Sequence, residues 1–334
     1  MSTLSCRHIL SITDLTPSDI AGMVRRSVAI GTGQDEMVPS LAGRVIGLYF
    51  RKTSTRTRTS FAVGAARLGA TTIFYGPNDL QTNTGETVQD TAKVLAGYLD
   101  VLVIRTAESL AEMKIFAAGG EMSVINAMSQ NEHPTQALAD LAAIREHFGQ
   151  IEGIEVLYLG EGNNTASALA LALSQVYRAR LTILTPKDYG LPQDVIQQSQ
   201  FLARKYGAQI QQFHCLDALP EKADVVYTTR WQTTGSFKAD PKWRDAFKPF
   251  KVTTALMDKV SRSSVTVFMH DLPAVRGEEV DAEVIDGPQS IAFRQAQHKL
   301  FSAMAALEWC VSGKPSFAEK IVDDRSSTVA SDAV

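Results

Sequence analysis

Apolar and polar positions along this chain follow two alternating rhythms, short β-branched runs and longer stretches with helical spacing of apolar residues. VIGLYF (45–50), TTIFY (71–75), VLVI (101–104) and SVINA (123–127) read as buried strands. Helical patterns at 59–68, 87–98 and 108–117 separate them, and a longer one covers 135–147. After Gly149 the rhythm restarts with IEVLYLG (154–160), LTILT (181–185), AQIQQF (208–213), DVVYTT (224–229) and SVTVFM (264–269). Helices are expected near 165–177 and 193–206. Strands joined by helical crossovers predict parallel α/β sheets. The expected fold is therefore two doubly wound parallel-sheet domains, 1–148 and 149–294, divided near FGQIEG (148–153). An amphipathic helix at 295–313 is expected to pack back on the first domain. The tail, 314–334, lacks an apolar pattern and is expected to be disordered.

Composition narrows the function classes. With 33 basic and 36 acidic residues the net charge is −3, so no global field points to nucleic acid. No run approaches the 18 or so apolar residues of a membrane span. MSTLSCRHILSITDL shows no apolar core of a signal peptide. The three cysteines, Cys6, Cys215 and Cys310, are far apart and odd in number, which suits a reducing cytoplasm better than a disulfide framework.

Against this neutral background FRKTSTRTRTSF (50–61) concentrates Arg51, Lys52, Arg56 and Arg58 within eight residues. The segment lies between an expected strand and an expected helix. Ser54 to Thr57 would then stand at a helix N-terminus on the carboxyl edge of a parallel sheet, where free N–H groups and the helix dipole attract anions. Ser54, Thr55 and Thr57 add hydroxyl donors, and the Arg56 guanidinium fits phosphate oxygens. The bland alternative is a capped helix with solvated arginines. There is no GxxxxGK[ST] motif, and GEGNNT (160–165) has Gly160 and Gly162 but lacks the third glycine of a dinucleotide fingerprint.

STRTRTSF followed by HPTQALADL (133–141) resembles the aspartate/ornithine carbamoyltransferase family. LQTNTGET (80–87), VIR (103–105), GEGNNTASAL (160–169), DVVYTTRWQTTG (224–235) and HDLPAVRGEEV (270–280) extend the likeness over residues 7–313. The resemblance implies a carbamoyl-phosphate domain followed by an amino-acid domain, in homotrimers with active sites between subunits. It assigns Ser54, Thr55, Arg56, Thr57 and Arg105 to the phosphate, His133 and Gln136 to the carbamoyl group, and Gln81 to a neighbouring subunit's site. Lys299 stands where the ornithine type has a late arginine. Neither metal nor cofactor is implied, because phosphate can itself take the attacking amine's proton.

For the amine, the resemblance implies Asn164 at the amino-acid end of the substrate and Leu272 in an HxLP motif. Three departures mark this chain. Thr229 replaces an aspartate, Thr233-Thr234-Gly235 replaces Ser-Met-Gly, and Asp271 replaces a cysteine; Arg230 and Gln232 echo the aspartate type's Arg-x-Gln. Asp271 could hold the attacking amine or relay its proton, or simply order its loop. Without the aspartate at 229 the α-ammonium loses its ordinary counter-ion. The expected acceptor is accordingly an ornithine-like amino acid or diamine, with L-ornithine itself carbamoylated poorly. The rivals are authentic ornithine or aspartate carbamoyltransferase, a non-catalytic anion-binding paralogue, and a nicotinamide-dependent oxidoreductase.

Overall fold

The computed structural model describes residues 6–34, 38–233, 237–262 and 265–313. Parallel strands covered by helices on both faces must be apolar along nearly their whole length, and the inner strand runs here, VIGLYF, VLVI and EVLYL among them, are. The first half comprises α1 (Pro17–Thr32), β1 (Val45–Phe50), α2 (Arg56–Arg67), β2 (Thr71–Tyr75), α3 (Val88–Ala96), β3 (Val101–Arg105), α4 (Ala111–Ala117), β4 (Ser123–Asn126) and α5 (Pro134–Phe148). The second comprises β5 (Glu155–Leu159), α6 (Asn164–Leu173), β6 (Arg180–Leu184), α7 (Gln193–Tyr206), β7 (Gln209–Phe213), β8 (Val225–Thr228), α8 (Trp243–Phe247), α9 (Thr254–Val260), β9 (Val267–His270), α10 (Ala282–Ile285) and α11 (Ala292–Ser312).

The strands form two all-parallel sheets, ordered β2-β1-β3-β4 and β7-β6-β5-β8-β9. The doubly wound architecture read from the sequence is thus what the chain adopts. β2 is an exception to its expected burial. As an edge strand it exposes Ile73 and Phe74, while Tyr75 packs against the core beside the sheet. The pattern also missed α1, although Thr16 and Asp19 form a capping box around Pro17 at its start. SVTVFM was read too early: the strand begins at Val267, and Ser264 lies outside the described residues, as does the tail after Gly313.

α11 returns to the first half, packing on α1, α2 and α5. Its small buried residues Ala303, Ala305 and Ala306 let it approach closely. A buried ion pair, Arg26 Nε to Glu308 Oε2 at 2.8 Å, fixes α11 against α1. Arg294 Nε and His298 Nε2 both reach Glu146 of α5, at 2.7 and 2.8 Å. Breaking a buried pair by truncating one partner costs about 3–5 kcal/mol, so Arg26→Ala would loosen this helix. Among the described residues no helix is long and apolar enough to cross a membrane.

Each sheet changes winding direction once, between β1 and β3 and between β5 and β8. Ligands of open α/β sheets bind beyond the carboxyl ends of the strands at such switch points. Both switch points open on one cleft.

Candidate active site

A cleft of about 310 Å³ lies where the carboxyl ends of the two sheets meet. From the first sheet come Ser54 to Thr57 after β1, Arg105 at the end of β3, and His133 and Gln136 at the start of α5. From the second come Asn163 and Asn164 after β5, Thr229 and Arg230 after β8, and Asp271 and Leu272 after β9. Lys299 of α11 completes it.

The cationic knot is sorted by helical geometry. α2 begins at Arg56, earlier than the apolar pattern indicated, so Arg56 and Thr57 occupy its first turn and Thr55 its N-cap. Arg51 is drawn away by Glu112 at 3.0 Å, while Lys52 and Arg58 are exposed. Of the four cations only Arg56 lines the cleft. Arg105, buried behind it, is the stronger sign of an anion. Its Nη1 donates to Thr57 Oγ1 at 3.4 Å, its Nε is buried without a partner, and among the described residues no carboxylate pairs with it. Burial, then the neighbouring Arg56 charge, pushes its pKa down to about 10. A buried cation with no carboxylate in direct contact is stabilised by an anionic ligand.

His133 caps α5 beside this cluster. Burial, then Lys299 and Arg105, holds its ring well below the ordinary imidazole pKa, so it is neutral. Its Nδ1 lies 3.3 Å from Thr135 Oγ1. A hydroxyl donating there leaves the ring proton on Nε2, available to a carbonyl oxygen. Gln136 is held at both ends: Lys299 Nζ donates to its Oε1, and its Nε2 donates to Asp140 Oδ1 at 2.8 Å. Tyr227 and Gln295 also donate to Asp140, at 3.0 and 2.7 Å. Sequence reasoning missed this supporting carboxylate, although Asp140 stands four residues after Gln136 on one helix face.

Across the cleft Asp271 is the carboxylate among the lining residues. Thr165 Oγ1 donates to its Oδ2 at 2.8 Å and Thr229 Oγ1 to its Oδ1 at 2.9 Å. The missing aspartate at 229 therefore leaves no charge vacancy, since the Asp271 carboxylate touches the Thr229 side chain. Thr229 also accepts from Asn163 Nδ2 at 3.2 Å, and Asn163 caps α6. Neither Asn163 nor Thr165 was singled out from the sequence. Asn164 lines the cleft with its amide donating to Ser129 O at 2.6 Å. Arg230, Gln232 and Thr233 also line the cleft; Thr234 and Gly235 lie outside the described residues.

The glycines of GEGNNT serve packing. Gly160 has φ +115°, and a Cβ on Gly162 would meet Leu191 N at 2.3 Å. Thr165, at the third position of the fingerprint, spends its hydroxyl on Asp271. Gln81 is exposed on a short 3₁₀ turn and does not line this chain's cleft. No group of three or more His, Cys, Asp or Glu side chains among the described residues is placed to hold a metal ion.

The comparisons agree with this geometry. Residues 7–146 match the family model for the aspartate/ornithine carbamoyltransferase carbamoyl-P binding domain, and residues 152–310 that for the Asp/Orn binding domain. An ornithine carbamoyltransferase of Bacillus cereus is 36% identical over 304 residues, covering 91% of this chain and 94% of the relative. The solved ornithine carbamoyltransferase of Pyrococcus furiosus superposes with a TM-score of 0.85 at 33% identity, over 94% of this chain and 99% of that one. The Gloeobacter violaceus ornithine carbamoyltransferase gives a TM-score of 0.80 at 32% identity, over 91% and 98%.

Proposed function

The chain belongs to the aspartate/ornithine carbamoyltransferase family and is a carbamoyltransferase, and from that premise we propose that it carbamoylates a primary amine of an ornithine-like amino acid in the cytoplasm. One observation carries the reading. Arg56, Arg105 and Lys299 converge on one side of the cleft and the Asp271 carboxylate stands on the other. The first side suits carbamoyl phosphate, the second an ammonium group.

In the reaction the amine nitrogen bonds to the carbamoyl carbon, the bond from that carbon to the phosphate oxygen breaks, and phosphate leaves with the electron pair. Phosphate can accept the proton the nitrogen loses. Negative charge grows on the carbonyl oxygen meanwhile, within reach of donors from His133 Nε2, Thr57 and Arg105; removing one such donor typically costs about 10²–10³ in rate. The Gln136 Oε1 atom keeps a second lone pair for the carbamoyl NH2 beside its bond from Lys299. Arg230, with no carboxylate partner among the described residues, suits an acceptor bearing a carboxylate better than a plain diamine.

The test is phosphate release from carbamoyl phosphate across a panel of amines. The relatives are named ornithine carbamoyltransferases, so L-ornithine heads the panel, followed by longer and shorter diamino acids, diamines and aspartate. Release with diamino acids is expected. No release with any amine, or release with aspartate alone, would overturn the reading.

Lys299 gives the anion site a pH dependence. Burial, then Arg105, pushes its pKa down to about 8, so its charge is lost as pH rises through that value. Affinity for a phosphonate analogue of carbamoyl phosphate is expected to fall along this limb. Lys299→Arg should hold its affinity well past it, because arginine stays charged. Calorimetric titration at stepped pH checks both.

We further propose a homotrimer, or a multiple of one, in which Gln81 enters a neighbour's site. Ile73 and Phe74 on β2, Val94 on α3 and Tyr98 just after it are exposed on either side of the Gln81 turn in sequence, apolar surface of the kind subunit contacts cover. Mixing Arg56→Ala and Gln81→Ala proteins, each nearly inactive alone, is expected to restore part of the activity, because some mixed sites would carry neither lesion. Light scattering that finds a fully active monomer would refute the assembly.

A further inference from the structure

Behind the amine side of the cleft, outside the residues that line it, lies a carboxylate that the chemistry above does not use. Glu161 follows β5 and precedes Asn163 and Asn164 in one tight turn. Its Oε2 accepts from both Thr233 N at 3.1 Å and Thr233 Oγ1 at 3.0 Å, while its Oε1 takes the ammonium of Lys238. The Glu161 and Lys238 side chains are only 13% and 7% exposed. The Lys238 ammonium stands 4.9 Å from the ring centre of Tyr189, 5.3 Å from Trp243 and 5.5 Å from Phe247. Phe247 packs on Tyr189, Trp243 and Trp231, and the residues around Trp231, Arg230, Gln232 and Thr233, line the cleft.

A buried carboxylate with one cation and two hydrogen bonds, its cation ringed by aromatic faces, is rigid. Here it joins the two segments that face each other across the amine site, the turn after β5 and the strip after β8. We propose that Glu161 is a positioning residue for the acceptor: through Thr233 and the caged Lys238 it fixes where Arg230, Gln232 and Thr233 stand. The phosphate-binding turn at Ser54–Thr57 belongs to the other sheet and makes no contact with this pair, so the effect is confined to one substrate. The inference rests on the carbamoyltransferase reading and adds to it a determinant of acceptor choice.

The experiment compares Glu161→Gln, Lys238→Met and the double variant. In Glu161→Gln the acceptor KM is expected to rise about tenfold to a hundredfold, the scale set by a misplacement of about 1 Å. The KM for carbamoyl phosphate should stay within about twofold, since its site is elsewhere. Lys238→Met should lower the melting temperature more than the double variant does, because it alone leaves a buried carboxylate without its cation. An unchanged acceptor KM in both single variants, or both substrates' KM values rising together, overturns the proposal. A readout without turnover separates this failure from that of the reaction itself. In a Trp309→Phe background only Trp231 and Trp243 emit. A shift of that emission in Glu161→Gln supports the latch whichever amine is carbamoylated, and an unchanged spectrum sinks it.

Discussion

Arg56→Ala is expected to weaken carbamoyl-phosphate binding by about 30- to 1,000-fold, the range that truncating one member of a desolvated charge pair covers at about 2–4 kcal/mol. The guanidinium sits in the first turn of α2, where the helix dipole and free N–H groups already favour an anion. Burial lowers its pKa, so solvent stabilises its charge less than it would a free guanidinium before the ligand arrives. An incoming phosphate supplies two fork-like hydrogen bonds to a cation that lacks them. Arg56→Lys should recover only part of the loss, because an ammonium cannot reproduce the fork. Calorimetry with the phosphonate analogue measures it directly. Unchanged affinity in Arg56→Ala would move the anion site elsewhere.

The second large effect belongs to Asp271. Asp271→Ala should cut kcat/KM for the acceptor by about tenfold to more than a hundredfold, from the loss of a charge-assisted hydrogen bond worth about 1.5–3 kcal/mol. Carbamoyl-phosphate affinity should hold or improve. The Asp271 charge acts favourably on Arg56 and Arg105, so removing it makes the cation cluster more positive toward an anion. The two substrates thus respond in opposite directions, which a general loss of structure would not produce. Because Thr229 Oγ1 lies 2.9 Å from the Asp271 carboxylate, a Thr229→Asp change added to Asp271→Ala returns a negative charge to nearly the same point. The double variant is expected to regain part of the acceptor kcat/KM. If it stays as poor as Asp271→Ala alone, the carboxylate relays a proton along a direction that position 229 cannot supply.

What could be read without the structure follows from how locally each feature is encoded. The inner strands were legible because two-sided burial forces a nearly unbroken apolar run. β2 was legible as a strand but misjudged as buried, since nothing in TTIFY says whether a sheet continues past it. α1 escaped although its apolar stripe is no weaker than that of α11, and Thr16-Pro17 with Asp19 marks its start. The arrangement proposed to hold the anion was legible almost entirely. Ser54 to Thr57 form one contiguous turn, and His133 and Gln136 share the first turn of α5, so each motif carries its own geometry.

The amine side was not legible in this way. Asp271, Thr229 and Thr165 are separated by 42 and 106 residues along the chain yet form one hydrogen-bonded group. Position by position, Thr229 looked like a lost counter-ion and Asp271 like an unexplained gain. Only the fold, which ends β8 and β9 side by side next to the start of α6, brings those two oddities into one hydrogen-bonded group. The same holds for Asp140, which Gln136 reaches from within its own helix but Gln295 reaches from 155 residues away. Sequence determined which donors each strand–turn–helix unit presents, because helix N-termini and their hydroxyls are local. Tertiary structure decided which charges face one another across the cleft, because a Coulomb interaction depends on distance in space and not on distance along the chain.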